Sequence, residues 1–296
     1  MKKLFLPIAV MLFAPLRAQK ILVVDSLNRF PVAYATVLWK SGITYTNRDG
    51  TFIYDRQYGP VTVSCAGYRS KTLIPSKDTV FLAPKGEQLP EITVDYHKKI
   101  KRIEPLNRKA SDRYIINSKG GEILMLIKPH KALLNRQIVS YGFVVDRRSY
   151  IPKEYRRKKR LFHIYYRFNI YENIDGKPGE KIFSSGVFRV PLKKRGMLTT
   201  KVTGPVYIDE KGLFLGIECL GLINDKGELV DTTPDFERQY VWGVTPFITT
   251  LKQSPFFDAK TYMRYYKDGK RIWWHVGRKA ARGKGERNMS VMIEYL

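Results

Sequence analysis

The run 161–172 constrains the chain more than any other: Phe162, Ile164, Tyr166, Phe168 and Ile170 alternate with His163, Tyr165, Arg167, Asn169 and Tyr171. Period two marks a strand with one face on a core, because successive side chains leave a pleated strand on opposite sides. A helix would need apolar residues three and four apart, and no segment of three turns carries that spacing. Further strands are predicted at 138–145, 186–190, 202–207 and 213–220. Turns are predicted at Asp175-Gly176-Lys177-Pro178-Gly179 and at Asp225-Lys226-Gly227.

A length of 296 residues allows about two domains. Lys and Arg number 53 against 27 Asp and Glu, a formal charge of +26, and the excess is uneven. Residues 19–95 hold 9 basic and 7 acidic residues, whereas 96–296 hold 41 and 20. Between them His97-Lys98-Lys99-Ile100-Lys101-Arg102-Ile103-Glu104-Pro105 has no periodicity and reads as a solvated linker. At the front, Lys2 and Lys3 precede an apolar stretch over 4–13 and then Ala14-Pro15-Leu16-Arg17-Ala18, the layout of a secretory signal cut after Ala18. The apolar stretch is well short of the ~20 residues a spanning helix needs. No cysteine follows it, which argues against a lipoprotein anchor. The expected protein is exported, periplasmic or outer-membrane-associated, without a transmembrane span.

Within 19–95, runs of strand formers at 21–24, 35–39, 51–54, 61–65 and 79–82 alternate with turn signals, the pattern of a small β-sandwich. Asn47-Arg48-Asp49-Gly50 supplies a tight turn, and Gly67-Tyr68 reads as a turn plus an aromatic cap on the core. Val24-Asp25, Pro31-Val32-Ala33-Tyr34-Ala35-Thr36-Val37, Thr46-Asn47-Arg48-Asp49-Gly50-Thr51-Phe52 and Val61-Thr62-Val63-Ser64-Cys65-Ala66-Gly67-Tyr68, in that order, resemble the carboxypeptidase-regulatory-like domain. That resemblance implies a seven-stranded, Ig-like, transthyretin-like fold with an accessory role and no peptidase activity of its own. Such domains also stand at the front of outer-membrane transporters, but the residues left after Val94 are too few for a plug and a large barrel. The second region is similar to the jelly-roll-like sandwiches of exported bacterial proteins. The expected fold is therefore all-β. A signal peptide over 1–18 leads to a transthyretin-like sandwich over 19–95, and a basic linker over 96–110 to a larger jelly-roll-like β-sandwich over 111–296.

The search for catalytic chemistry is mostly negative. His97, His130, His163 and His275 are followed three residues on by Ile100, Leu133, Tyr166 and Arg278, so none carries the Glu of a zinc carboxypeptidase. No His-Glu-x-x-His, Gly-x-Ser-x-Gly or phosphate loop is present in the sequence, and no cofactor is expected. A polysaccharide hydrolase stays open as an alternative, since two carboxylates such as Glu172 and Asp175 leave no short signature; it would need a deep cleft with two facing acids. Cys65 and Cys219 read as small hydrophobes rather than a disulfide or zinc framework.

The positive signal is a hairpin in which 261–266 and 271–276 flank Lys267-Asp268-Gly269-Lys270. A two-residue Asp-Gly loop pairs Lys267 with Lys270, Tyr266 with Arg271 and Arg264 with Trp273. Parity then sends Met263, Tyr265, Ile272, Trp274 and Val276 toward a core, and Tyr262, Arg264, Tyr266, Arg271, Trp273 and His275 to the other face. If the 161–172 strand shares the sheet, His163, Tyr165, Arg167 and Tyr171 extend this aromatic and basic strip. Rings stack on sugars and guanidinium groups clamp anions, so an exposed strip would bind an anionic envelope glycan or lipid head group. Its use as an interdomain contact or as an assembly site for another envelope protein is the rival expectation. Export argues against nucleic acid. On the exposed reading, replacing Arg264 and Trp273 by Ala weakens binding and leaves stability nearly unchanged.

Overall fold

The computed structural model describes residues 18–40, 42–85, 99–105, 117–148, 163–191, 196–223, 229, 240–241, 243–246, 248–250, 254–267, 270–276 and 287–296. The expected signal through Arg17, the expected turn at 225–227 and three runs rich in Lys and Arg, 153–160, 193–195 and 278–286, lie outside the described residues. Among the described residues the chain is all-β, its helical content being a 3-10 turn at Arg56–Tyr58.

The first part holds β1 (Gln19–Asp25), β2 (Thr36–Trp39), β3 (Gly42–Tyr45), β4 (Thr51–Tyr54), β5 (Val61–Ser64), β6 (Lys71–Leu73) and β7 (Thr79–Leu82). Strand β1 lies between antiparallel β4 and parallel β7, and β3-β2-β5-β6 form a second, antiparallel sheet. The sheets share a core of Ile21, Val23, Val37, Phe52, Val61, Val63, Val80 and Leu82. Alternation places it: in β5, Val61 and Val63 are buried while Thr62 and Ser64 turn to the other side. The Asn47–Gly50 turn closes with the Gly50 amide donating to the Asn47 carbonyl at 3.0 Å. Tyr68 packs against this core and donates its hydroxyl to Asp25 at 3.0 Å.

The second part holds β8 (Lys101–Ile103), β9 (Asn117–Ser118), β10 (Glu122–Pro129), β11 (Ile138–Arg148), β12 (His163–Ile174), β13 (Lys177–Pro191), β14 (Gly196–Lys201) and β15 (Leu213–Ile223). Then follow β16 (Tyr240–Val241), β17 (Gly243–Pro246), β18 (Ile248–Thr250), β19 (Phe257–Lys267), β20 (Lys270–His275), β21 (Arg287–Met289) and β22 (Val291–Tyr295). A six-stranded sheet in the order β13-β12-β15-β10-β19-β20 packs on a sheet in the order β14-β11-β22-β8. Between them lie Ile123, Met125, Tyr166, Phe168, Leu215 and Ile217 from the first sheet and Tyr141, Phe143, Val291 and Ile293 from the second. The alternating run supplies the core face as expected, with Ile164, Tyr166, Phe168 and Ile170 all buried.

Three local readings change. The strand expected at 202–207 does not form: β14 ends at Lys201, because Gly204 takes a positive φ of 89° and Pro205 has no amide to donate. Tyr207 keeps a single bridge to Gln137. Residues 101–103, inside the stretch read as a solvated linker, form β8 along β22 and bury Ile103. The turn at 175 tightens to Asp175 and Gly176, with φ of 52° and 79°, and β13 resumes at Lys177.

The two sandwiches meet through their outer faces. Thr36, Leu38, Ile43 and Tyr45, which register side by side on β2 and β3, are turned away from the first core. Ile43 and Tyr45 bury against Leu220, with Leu38, Tyr34, Tyr165 and Val187 packed around them. The face of the six-stranded sheet that the alternation leaves outside the second core is thus partly the seat of the first sandwich.

Candidate functional site

Strand register assembles the site. Arg167 stands opposite Glu218, Glu218 opposite Glu122, Glu122 opposite Arg264, and Arg264 opposite Trp273, one transverse row across β12, β15, β10, β19 and β20. The next row reads Asn169, Gly216, Leu124, Tyr262 and His275. The hairpin pairing read from the sequence is the one observed, including Lys267 with Lys270 and Tyr266 with Arg271. The two strands of the expected strip do share a sheet.

Two directly opposed carboxylates repel, and the row is stable only because each is matched. Arg167 donates from Nε and Nη2 to Glu218 Oε2 at 3.1 and 2.9 Å. Tyr45, from the first sandwich, donates to Glu218 Oε1 at 2.8 Å. Arg264 ion-pairs with Glu122, and the Tyr171 hydroxyl sits 2.9 Å from both oxygens of that carboxylate. Asn169 Nδ2 bridges the acids, 2.8 Å from Glu122 Oε1 and 3.0 Å from Glu218 Oε2, while its Oδ1 accepts from Ser184 at 2.8 Å. Arg167 completes its fork on the first sandwich, at 3.1 Å from both the Tyr34 carbonyl and Thr36 Oγ1. Among the described residues no buried side-chain polar atom lacks a partner. Burial works against the Glu218 charge, but Arg167, Lys181 and the bonds from Asn169 and Tyr45 outweigh it and hold this carboxyl well below the usual range.

Beside this seam the outer faces part and leave a cleft of about 1240 Å³. Thr36, Thr62 and Ser64 line one wall; Glu122, Tyr171, Lys181, Glu218 and Arg264 line the other. Away from the first sandwich the same sheet face carries a ring cluster. Tyr262 stacks on Trp273 with centroids 5.4 Å apart and tilts against His275 at 5.1 Å, both Tyr262 and Trp273 resting on Leu124, Leu126 and Phe214. Arg264 joins the two parts, its guanidinium 4.9 Å from the Tyr171 ring centre and 5.9 Å from that of Trp273.

Strand parity sets the residues of the expected strip on one face of the six-stranded sheet, but their exposure differs from the expectation. Arg167 and Tyr171 are each only 4% exposed, because one supports the seam and the other lies under the cleft floor. Tyr165 meets Tyr34 edge-on at 5.6 Å, a contact between the sandwiches. His163 is partly buried with Arg189 Nη2 3.1 Å from its Nδ1. Tyr262, Trp273 and His275 are half-buried; the side chains of Tyr266 and Arg271 lie outside the described residues. On the other side of the hairpin Met263 and Val276 pack against the core, but Trp274 is 53% exposed, since β20 is the edge strand and the core ends before it. The expectation that Arg264 can be removed without cost also fails, because its loss would strand Glu122 in the interior.

Reading by composition missed Glu122, Glu218 and Lys181. The signal was present: Glu122 heads the apolar run Ile123-Leu124-Met125-Leu126-Ile127, Glu218 sits inside Leu215-Gly216-Ile217-Glu218-Cys219-Leu220, and a charge in a buried strand requires a partner. Among the described residues no three His, Cys, Asp or Glu side chains converge as a metal group. Cys219 is buried, and burial pushes its thiol up to about 12, leaving it an inert hydrophobe. Among them, too, no helix is long and apolar enough to cross a membrane. No family model and no curated protein matches this chain.

Proposed function

We propose that the protein is an exported, non-catalytic accessory of the cell envelope that binds an anionic glycan in the cleft between its two sandwiches, with the Tyr262–Trp273 stack as an adjoining platform. The observation that carries this reading is the hydroxyl- and cation-lined cleft joined through Arg264 to a half-exposed ring stack. Such a mixture suits a sugar, which offers hydroxyls at its edge and C–H surface on its face. A recess of this kind accommodates a chain or a ring better than the plane of lipid head groups. Export rests on Lys2, Lys3 and the apolar segment after them.

The paired carboxylates favour binding over hydrolysis. Glu122 and Glu218 share one amide donor and so stand close, as the acids of a retaining glycosidase would. A hydrolase also needs one protonated acid, and here each carboxylate is held by a guanidinium, with Glu218 shifted toward ionisation rather than away from it. A protein contact is a second reading, supported by Leu27, Phe30 and Ile53, which stand exposed around the three-stranded sheet.

The test is a glycan array on the mature chain at two salt concentrations, with Trp273→Ala alongside. Retention of acidic glycans that fades with salt and drops about ten-fold in Trp273→Ala is the expected result. Retention indifferent to both would remove the reading.

A further inference from the structure

Five charged side chains converge where the cleft meets the seam: Arg167, Lys181 and Arg264 against Glu122 and Glu218. The two guanidinium groups consume the two carboxylates. Lys181 is left over. Its ammonium stands 3.9 Å from Glu218 Oε2 and 5.5 Å from the centre of the Tyr171 ring, and it makes no hydrogen bond to any described residue. The side chain is 29% exposed and lines the cleft. An ammonium carries three protons to donate; none is engaged by a described residue, and all face the cleft, where a ligand acceptor can take the place of water. Burial accordingly lowers the Lys181 pKa, against the pull of Glu218.

We propose that Lys181 is the anion-recognising group of the cleft and that its ligand is a glycan bearing a single carboxylate per recognised sugar, a uronic acid, an assignment that rests on the cleft as the binding site. One carboxylate cancels the one unmatched charge of the interior cluster. A phosphate monoester brings about −1.5 to −2 and would set its excess against Glu122 and Glu218. Glu172 is exposed at the rim and Glu180 is held there by Lys85, so among the described residues the rim adds no second cation for a dianion. Across the gap Thr36, Thr62 and Ser64 offer hydroxyls for the sugar's own, so the carboxylate is read by Lys181 and the ring by the opposite wall.

The test is calorimetric titration of the mature full-length chain with trigalacturonate, its methyl ester and galactose 1-phosphate, and a sedimentation assay with phosphatidylglycerol vesicles. The wild-type chain binds trigalacturonate at least about ten-fold more tightly than the ester, the worth of one charge-assisted contact. Lys181→Gln abolishes that preference, Lys181→Arg retains it, and both unfold cooperatively as wild type does. Should Lys181→Gln misfold, the ester comparison and Lys181→Arg still read the contact. A preference that survives in Lys181→Gln overturns the assignment of Lys181 while leaving a cleft that binds glycans. Tighter binding of the sugar phosphate or of vesicles overturns the carboxylate class. Failure of the wild-type chain to bind any of the sugars removes the cleft reading itself.

Discussion

At the scale of single residues, the Arg167–Glu218 pair governs how the molecule responds to mutation and to acid. Both partners are buried, and each is bonded to the first sandwich as well as to the other. Glu218→Gln leaves a guanidinium in the interior without its counter-charge and is expected to cost about 3–5 kcal/mol, whereas Arg167→Met with Glu218→Leu should recover much of the loss. Urea unfolding of the wild type and the two variants checks this, and a double variant no better than the single would contradict it. The same carboxyl sets an acid limit. Its folded pKa is depressed, so the stability it contributes is fully present above its unfolded value near 4.5 and drains away as pH falls from there toward the lower folded value. In Glu218→Gln the stability curve should be flatter over that window. On the alkaline side, burial pushes Tyr34 up to about 12, with Tyr165 adding to the shift, and burial and Asp25 push Tyr68 up to about 12. The folded chain then gives up these protons later than the unfolded chain does. Their contribution is intact below about 10 and is lost as pH climbs through 12, which absorbance titration of the phenolates follows.

At the scale of elements, close approach of strands leaves little freedom. Gly142 of β11 lies opposite Thr199 of β14, and a Cβ there would come within 2.3 Å of the Leu198 carbonyl oxygen and 3.0 Å of Thr199 Cα. Gly142→Ala is therefore expected to destabilise by about 1–3 kcal/mol through displacement of β14, a loss measurable by thermal unfolding. Elements differ in how openly the sequence announces them. Strand β12 and the β19–β20 pairing were legible because one face is apolar and the other polar, which gives a clean period of two. Strand β10 was not: Ile123, Met125 and Ile127 bury in the second core while Leu124 and Leu126 bury under the ring cluster, so both faces are apolar and the alternation vanishes. The site was legible to the same degree. Parity gathered Arg167, Tyr171, Tyr262, Arg264 and Trp273 on one face, but parity says nothing about what covers a face, and the covering sandwich lies more than a hundred residues away in sequence.

At the scale of the whole molecule, the outer face of one sandwich is the foundation of the other. Ile43 and Tyr45 pack on Leu220 and Tyr165, and the polar row beside them is satisfied only when both sandwiches are in place. Calorimetry of residues 19–296 should show one unfolding transition, and two separated transitions would deny that the seam couples the parts. A chain lacking 19–85 would expose the Arg167 fork and the Leu220 surface and should be much less stable than the second sandwich is in the full protein. The surplus of basic residues, concentrated after residue 96, adds a field that attracts polyanions and is screened within ~8 Å at physiological salt. In the proposed function that field would draw an acidic chain to the surface, and the cleft would recognise it. The most direct measurement is a crystal structure of the mature protein with trigalacturonate. The expected density places a sugar carboxylate on the Lys181 ammonium and the ring against Thr36, Thr62 or Ser64, with the two sandwiches unmoved. A ligand seated elsewhere, with the cleft empty, would contradict it.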